Sequence, residues 1–173
     1  QTAKESVIVQ SELVVSLVKR QMGEEDVQFE FHGDTYTPES VSALILRELA
    51  EAASETTGVP VTDVVITVPA YFGVSEKEAT RRAGEIAGLN VLSLVPEPVA
   101  AALHYDALSD GRESTILVYD LGGGTFDTTV IHLDGDDINV VCTDGNHRLG
   151  GADWDDRVVQ YLLDQFKAEH PNS

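Results

Sequence analysis

Apolar positions recur at two different periods along the chain, and the switches between them mark out its elements. Residues 1–36 read as extended or irregular segments. The alternation Val27, Phe29, Phe31, bounded by Gly23 and by Gly33-Asp34, predicts a short hairpin strand there. Thr37-Pro38 then predicts a helix start, with Thr as N-cap and Pro at the first helical position. Val41, Leu44, Ile45, Leu49 and Ala52 follow at helical spacing, so that face is expected to be buried. Gly58 and Pro60 end the helix. Val64 to Val68 is β-branched at every position, which predicts a strand covered on both faces and closed by Pro69.

Ser75 and Glu78 have the spacing of a capping box, opening a helix that stops at Gly88. Val91 to Val95 is a second strand, and Pro98 opens a further helix from Val99 to about Ala107. Helix, strand, helix, strand, helix is the pattern of an α/β layer fold. The alternation then breaks. Thr115–Tyr119 and Phe126–Leu133 are strand-like runs joined by residues 120–125, too few for a helix, so they must form an antiparallel hairpin. Asp134 to Asp137 is a tight turn into a third strand near Ile138–Cys142. Asp153 is expected to cap a last helix whose Val158, Val159, Leu162, Leu163 and Phe166 form a buried stripe. Residues 109–114 are a candidate lobe boundary.

Charge narrows the partners. With 30 acidic against 11 basic residues in 173, the net charge is -19. Nucleic-acid backbones and anionic membrane surfaces are repelled by such a chain, and its basic residues form no stripe. No apolar stretch approaches the roughly 20 residues of a membrane helix, and no secretory leader pattern opens the sequence. A soluble, intracellular location is the default expectation. The single cysteine, Cys142, excludes an intrachain disulfide and is expected to be a buried thiol. The chain starts at Gln1 and its one methionine is Met22, so it is expected to begin downstream of its gene's start.

The chemistry is concentrated in Asp120-Leu-Gly-Gly-Gly-Thr-Phe-Asp127. Three consecutive glycines exceed what a hairpin turn needs. Without Cβ atoms, successive backbone N–H groups can converge on an anion such as a phosphate. Thr125 adds a hydroxyl. Asp120, where strand meets loop, can hold the water shell of Mg²⁺, which takes one or two carboxylates plus phosphate oxygens. A plain glycine-rich turn with a capping Asp is the alternative. Neither a P-loop nor a dinucleotide fingerprint is present, since this loop joins strand to strand.

Glu97, held between Pro96 and Pro98 at a strand-to-helix junction, is a second candidate, with simple helix capping as its alternative. Gly150-Gly151, opening the last helix, is a third: a helix N-terminus entered through two glycines suits an anion, or is a plain turn. The five histidines lack zinc-type spacing.

At these residues the chain resembles the ATPase domain of the 70-kilodalton heat-shock chaperones of DnaK type. Val65-Ile-Thr-Val-Pro-Ala-Tyr-Phe72, Ala79-Thr80, Ala83-Gly84-x-Ile-Ala-Gly88, Glu97-Pro98 with Ala100-Ala-Ala102, the Asp120–Asp127 block and Leu149-Gly-Gly151 recur in the family's order, from about Ala3 to the end. The resemblance implies an incomplete α/β piece of an actin-like ATPase (ribonuclease H-like) fold, mixed sheets flanked by helices, with ATP or ADP and Mg²⁺ in the cleft between two lobes.

Residues 1–37 would end the outer subdomain of the first lobe and 38–110 form most of its inner one. Residues 111–149 would begin the second lobe's inner subdomain and 150–173 its outer one. Gly122, Gly123, Gly124 and Thr125 would form the second phosphate loop, with Thr125 on the γ-phosphate. Asp120 would hold metal-bound water, Glu97 would position the attacking water and the metal shell, and Gly151 would lie near the phosphates. Pro69 and Lys77 match positions that relay nucleotide state to a substrate-binding domain.

The implied whole is a cytoplasmic, stress-responsive folding ATPase that works on unfolded client proteins with a J-domain co-chaperone and a nucleotide exchange factor. The family's first phosphate hairpin is absent, so this piece alone is expected to bind ATP weakly and hydrolyse it negligibly. The family's catalytic Lys falls near Gln28, and Gly73-Val74, Pro96 and Val99 depart from the usual Asn-Asp, Asn and Thr. These departures keep a second reading open, a non-hydrolysing actin-like interaction or regulatory module.

Overall fold

A computed structural model of the chain describes residues 11–106, 113–135 and 137–171. Two compact units result: Gln1–Val68 with Phe72–Glu97, and Pro69–Tyr71 with Pro98–Ser173.

In the first unit a hairpin pairs β1 (Phe29–Phe31) antiparallel to β2 (Asp34–Tyr36). His32 and Gly33 form its two-residue turn with φ of 53° and 89°, the positive pair that a strand-twisting hairpin turn requires. Helix α1 (Pro38–Thr57) follows, and Thr37 caps it as its sequence predicts. The Ser40 N–H donates to Thr37 Oγ1 at 3.3 Å while the Thr37 N–H donates to Ser40 Oγ at 2.8 Å, so two orphan donors are satisfied reciprocally.

The expected buried face of α1 is not the one that packs. Leu44, Ile45 and Leu49 are about half exposed or more, at 49%, 51% and 61%. Ala43 and Ala50 are buried instead, with Leu46 beside them, against Ala87 and Leu89. The small alanine side chains let the backbone approach its neighbour closely, which larger residues at the contact would prevent.

Strands β3 (Asp63–Val68) and β4 (Asn90–Pro96) are parallel and joined through helix α2 (Val74–Ile86). Burial along β3 alternates, with Val65 exposed, so this strand is covered on one face only and the expectation of two covered faces fails. Helix α2 supplies the cover through Ala79, Thr80, Ala83 and Gly84. A Cβ on Gly84 would strike Val91 Cγ2 and come within 3.2 Å of Ile66 Cδ1. The missing side chain therefore sets how close helix and sheet lie. The cap of α2 also differs from expectation: Gly73 occupies the N-cap position without a side-chain bond. Ser75 lies inside the first turn and donates to the carbonyl of Gly23 at 3.2 Å, so no Ser75–Glu78 capping box forms.

In the second unit, β5 (Ser114–Leu121), β6 (Phe126–Asp134) and β7 (Asp137–Asn146) form the expected antiparallel meander. Alternate residues of β6, Asp127, Thr129, Ile131 and Leu133, are buried. Helix α3 (Glu97–Asp106) lays Val99 and Ala102 over Ile131 and Leu133, with Ile116, Val118 and Ile138 completing the cluster. Of the candidate lobe boundary at 109–114, residues 109–112 lie outside the described residues. Cys142 is exposed rather than buried, on β7, an edge strand that is exposed at all but one of its described positions.

Helix α4 (Gly151–Glu169) corrects two expectations. Gly150 is its N-cap and Asp153 is its third residue, donating no cap of its own but accepting the Gly150 N–H at 2.7 Å. None of its residues is buried, and Val158, Val159, Leu162, Leu163 and Phe166 are 45–59% exposed. The stripe has the helical period that burial uses, but no described element lies over it. Among the described residues, no helix is long and apolar enough to cross a membrane.

Candidate functional site

The β5–β6 register brings Asp120 opposite Asp127 and Leu121 opposite Phe126 as the last pairs before the loop. Directly opposed residues of an antiparallel pair face the same side. Asp120 and Asp127 therefore share the face of Ile116, Val118 and Ile131, at its glycine-loop end. Between them the Gly122 N–H donates to the Thr125 carbonyl at 2.9 Å, closing Gly122, Gly123 and Gly124 into a tight turn. Thr125 is buried at 7% and Asp127 at 2%.

Two hydrogen bonds then tie this turn to α4. The Gly151 N–H donates to the Gly122 carbonyl at 3.0 Å, and the Ala152 N–H to the Gly123 carbonyl at 2.9 Å. In a planar trans peptide the C=O and the following N–H point in opposite directions. With the carbonyls of Gly122 and Gly123 aimed at the helix, planarity turns the N–H groups of Gly123 and Gly124 away from it. Successive amides so aligned make an anion-binding concavity.

The two glycine motifs, separate in the sequence, are thus one structure. The Gly151 N–H is committed to the Gly122 carbonyl, so Gly151 meets the glycine loop through that bond. Gly150 makes the closest approach: a Cβ there would lie 2.5 Å from Gly124 N and 2.6 Å from the carbonyl carbon of Gly123. A side chain cannot be accommodated without separating helix from loop.

Glu97, the first residue of α3, is the last residue of the first unit, and the rest of the helix belongs to the second. Glu97 Oε1 accepts from Lys19 Nζ at 2.7 Å. Lys19 lies in a single 3-10 turn, Val18–Gln21, entered through Leu17 at φ 55°. The sequence reading placed the family's lysine near Gln28. That residue is exposed just ahead of β1, and Lys19 is the cation found on Glu97. Lys19 was missed because spacing counted across an irregular segment does not fix which basic residue folds back.

Asp127 was also passed over, although the symmetric placement of Asp120 and Asp127 about their loop was a readable signal of cross-strand pairing. Pro69 is buried in the second unit, and Lys77 is half-buried on α2 in the first. A surface groove of about 610 Å³ lies along Arg148, Leu149, Asp153, Trp154 and Arg157, but it includes none of the loop glycines and no side chain predicted to act. Backbone geometry marks the candidate site better than cavity size.

The donor set suits a hydrated divalent cation beside a phosphate: carboxylates at Asp120 and Asp127 next to the Thr125 hydroxyl, with outward amides between. Among the described residues, no group of three or more His, Cys, Asp or Glu side chains is arranged to bind a metal unaided. A cation there would need phosphate oxygens or water to complete its shell.

The family model for the Hsp70 protein matches residues 2–172. A chaperone protein DnaK from Thermosipho africanus is 44% identical over 168 residues, covering 97% of this chain and 28% of the relative. One from Deinococcus proteolyticus is 54% identical over 144 residues, 83% of this chain and 23% of the relative. A third, from Halobacterium salinarum, is 45% identical over 168 residues, 97% of this chain and 27% of the relative. The chain spans about a quarter of the length of these curated relatives. With the blocks around the glycine loop and Glu97 matched along nearly its whole length, the chain belongs to the Hsp70 family.

Proposed function

We propose that these residues form part of the ATP-binding and ATP-hydrolysing domain of a DnaK-type molecular chaperone. The observation that carries the proposal is the pair of hydrogen bonds from Gly151 and Ala152 to the Gly122 and Gly123 carbonyls, since planar peptides then turn the Gly123 and Gly124 amides away from α4. On this reading the fold is the actin-like one, with 1–37, 38–110, 111–149 and 150–173 in the four subdomain pieces named above.

The outward amides bind the terminal phosphate oxygens, and the Thr125 hydroxyl adds a donor at the same end. Asp120 would hold Mg²⁺ through its water shell, and the ion would supply charge neutralisation at the phosphates. Glu97 accepts a hydrogen bond from the attacking water, and Lys19 holds the Glu97 carboxylate in place. Phosphoryl transfer needs little more than such placement and charge stabilisation. Gly151 contributes by anchoring the loop. Pro69 and Lys77 carry the nucleotide state onward to a substrate-binding domain, and the partners are unfolded clients, a J-domain co-chaperone and a nucleotide exchange factor, in the cytoplasm.

The non-hydrolysing alternative drew on Gln28 at the lysine position and on the changes around Glu97, and Lys19 beside Glu97 speaks against the first of these grounds. The test is ATP turnover by the complete gene product with and without Thr125→Ala. Measurable turnover that drops about 10²-fold or more in the variant supports the reading, as loss of one transition-state donor does elsewhere. An inactive wild type, or a variant as fast as wild type, rejects it.

A further inference from the structure

We infer that Gly150 is a positioning residue for the phosphate loop: its missing side chain lets the first turn of α4 hold the loop's peptides so that their amides face the nucleotide. The inference rests on the nucleotide-binding reading and goes beyond it. Glycine peptides can rotate either way at little steric cost, so a run of three does not by itself choose which way its N–H groups point. The choice is made by α4. Its Gly151 and Ala152 amides capture the Gly122 and Gly123 carbonyls at 3.0 and 2.9 Å, and the positive end of the helix favours those oxygens.

Both bonds require contact at Gly150, where any Cβ would meet Gly124 N and the Gly123 carbonyl at 2.5 to 2.7 Å. The Gly150 N–H is itself occupied by Asp153 Oδ2 at 2.7 Å, which fixes the residue between helix and loop. An anion on the Gly123 and Gly124 amides polarises the same peptide units whose carbonyls face α4. Hydrogen-bonded chains strengthen one another in this way. Phosphate binding and the seating of α4 are therefore coupled through two peptide bonds.

The experiment is hydrogen exchange at the Gly151 and Ala152 amides of the complete gene product, free and saturated with ATP or ADP. Calorimetry in parallel reports whether nucleotide binds. We expect ATP to slow exchange at both amides at least tenfold, and more than ADP does. Nucleotide binding without any change at these amides overturns the inference and leaves the proposed function intact. No nucleotide binding overturns both.

Gly150→Ala provides the second arm. It should weaken ATP more than ADP, by at least a further tenfold, whereas Gly84→Ala, a comparable steric insult in the first unit, should leave the ATP-to-ADP ratio unchanged. Equal losses for both nucleotides in Gly150→Ala would make the residue merely structural and sink the inference. Should Gly150→Ala fail to fold, the wild-type exchange result decides alone.

Discussion

Lys19 Nζ lies 2.7 Å from Glu97 Oε1, although 78 positions of sequence separate the two residues. The side chains are 45% and 21% exposed, so the pair stands in partial contact with water and is a weak source of stability. On the proposed reading its value lies in placing charge. Lys19→Ala in the complete gene product should lower single-turnover ATP hydrolysis by about 10²-fold or more. The urea midpoint should shift by no more than about 1 kcal/mol equivalent. Unchanged turnover would remove Lys19 from the reaction.

Gly84→Ala tests the packing of α2 on the β3–β4 sheet. The added methyl strikes Val91 Cγ2, which stands on a strand and cannot retreat freely. Overpacking of this kind costs about 1–3 kcal/mol. Equilibrium urea unfolding should show that loss, and Val91→Ala in the same chain should recover part of it by opening room for the methyl. A Gly84→Ala chain as stable as wild type would mean that helix and sheet are not held at this spacing.

Glu39 makes stability depend on pH in a known direction. Burial pushes its pKa up, but hydrogen bonds from its own backbone N–H and the Thr37 hydroxyl, together with Arg82, more than offset this and hold it below the ordinary carboxylate range. Arg82 Nη2 reaches Glu39 Oε1 at 3.1 Å. A folded-state pKa below the unfolded one means that ionised Glu39 stabilises the fold above the unfolded value. That stability is lost as pH falls through the folded value. Arg82→Ala should therefore cost most at neutral pH and nothing once Glu39 is protonated, as read from urea midpoints across the acid range. An NMR titration should show the Glu39 carboxyl rising in the variant. A cost that stays constant with pH would contradict the assignment.

Cys142 offers a direct check of the second sheet. It is exposed on edge strand β7 and is the chain's single thiol, so a thiol reagent should modify the native protein once, without denaturant. Labelling that requires unfolding would place β7 wrongly.

These tests probe features that were not equally readable. The hairpin at β5–β6, the Thr37-Pro38 helix start and the strand–helix–strand order around α2 could be read in advance, since each depends on residues within a few positions of one another. The close backbone approach at the glycine loop was readable for the same reason, since three glycines between two strands imply it. The loop's orientation was not. The amide direction at Gly123 and Gly124 depends on Gly151 and Ala152, residues beyond two intervening strands. The face of α1 was misjudged because its sequence carries two apolar stripes, and periodicity cannot rank them. The α4 stripe was misjudged because a helical period reports that a face is apolar and not that something lies on it.

Local stereochemistry written into the sequence was enough to set most of the elements and turns, because caps, turns and β-branched runs act over a few bonds. Tertiary structure alone decided that Ala43 and Ala50 are buried in place of Leu44 and Leu49, that Lys19 rather than Gln28 meets Glu97, and that Gly150 locks the loop to α4. Each of these outcomes joins residues far apart in sequence, and at Ala43, Ala50 and Gly150 the small or absent side chain sets how closely the backbones approach.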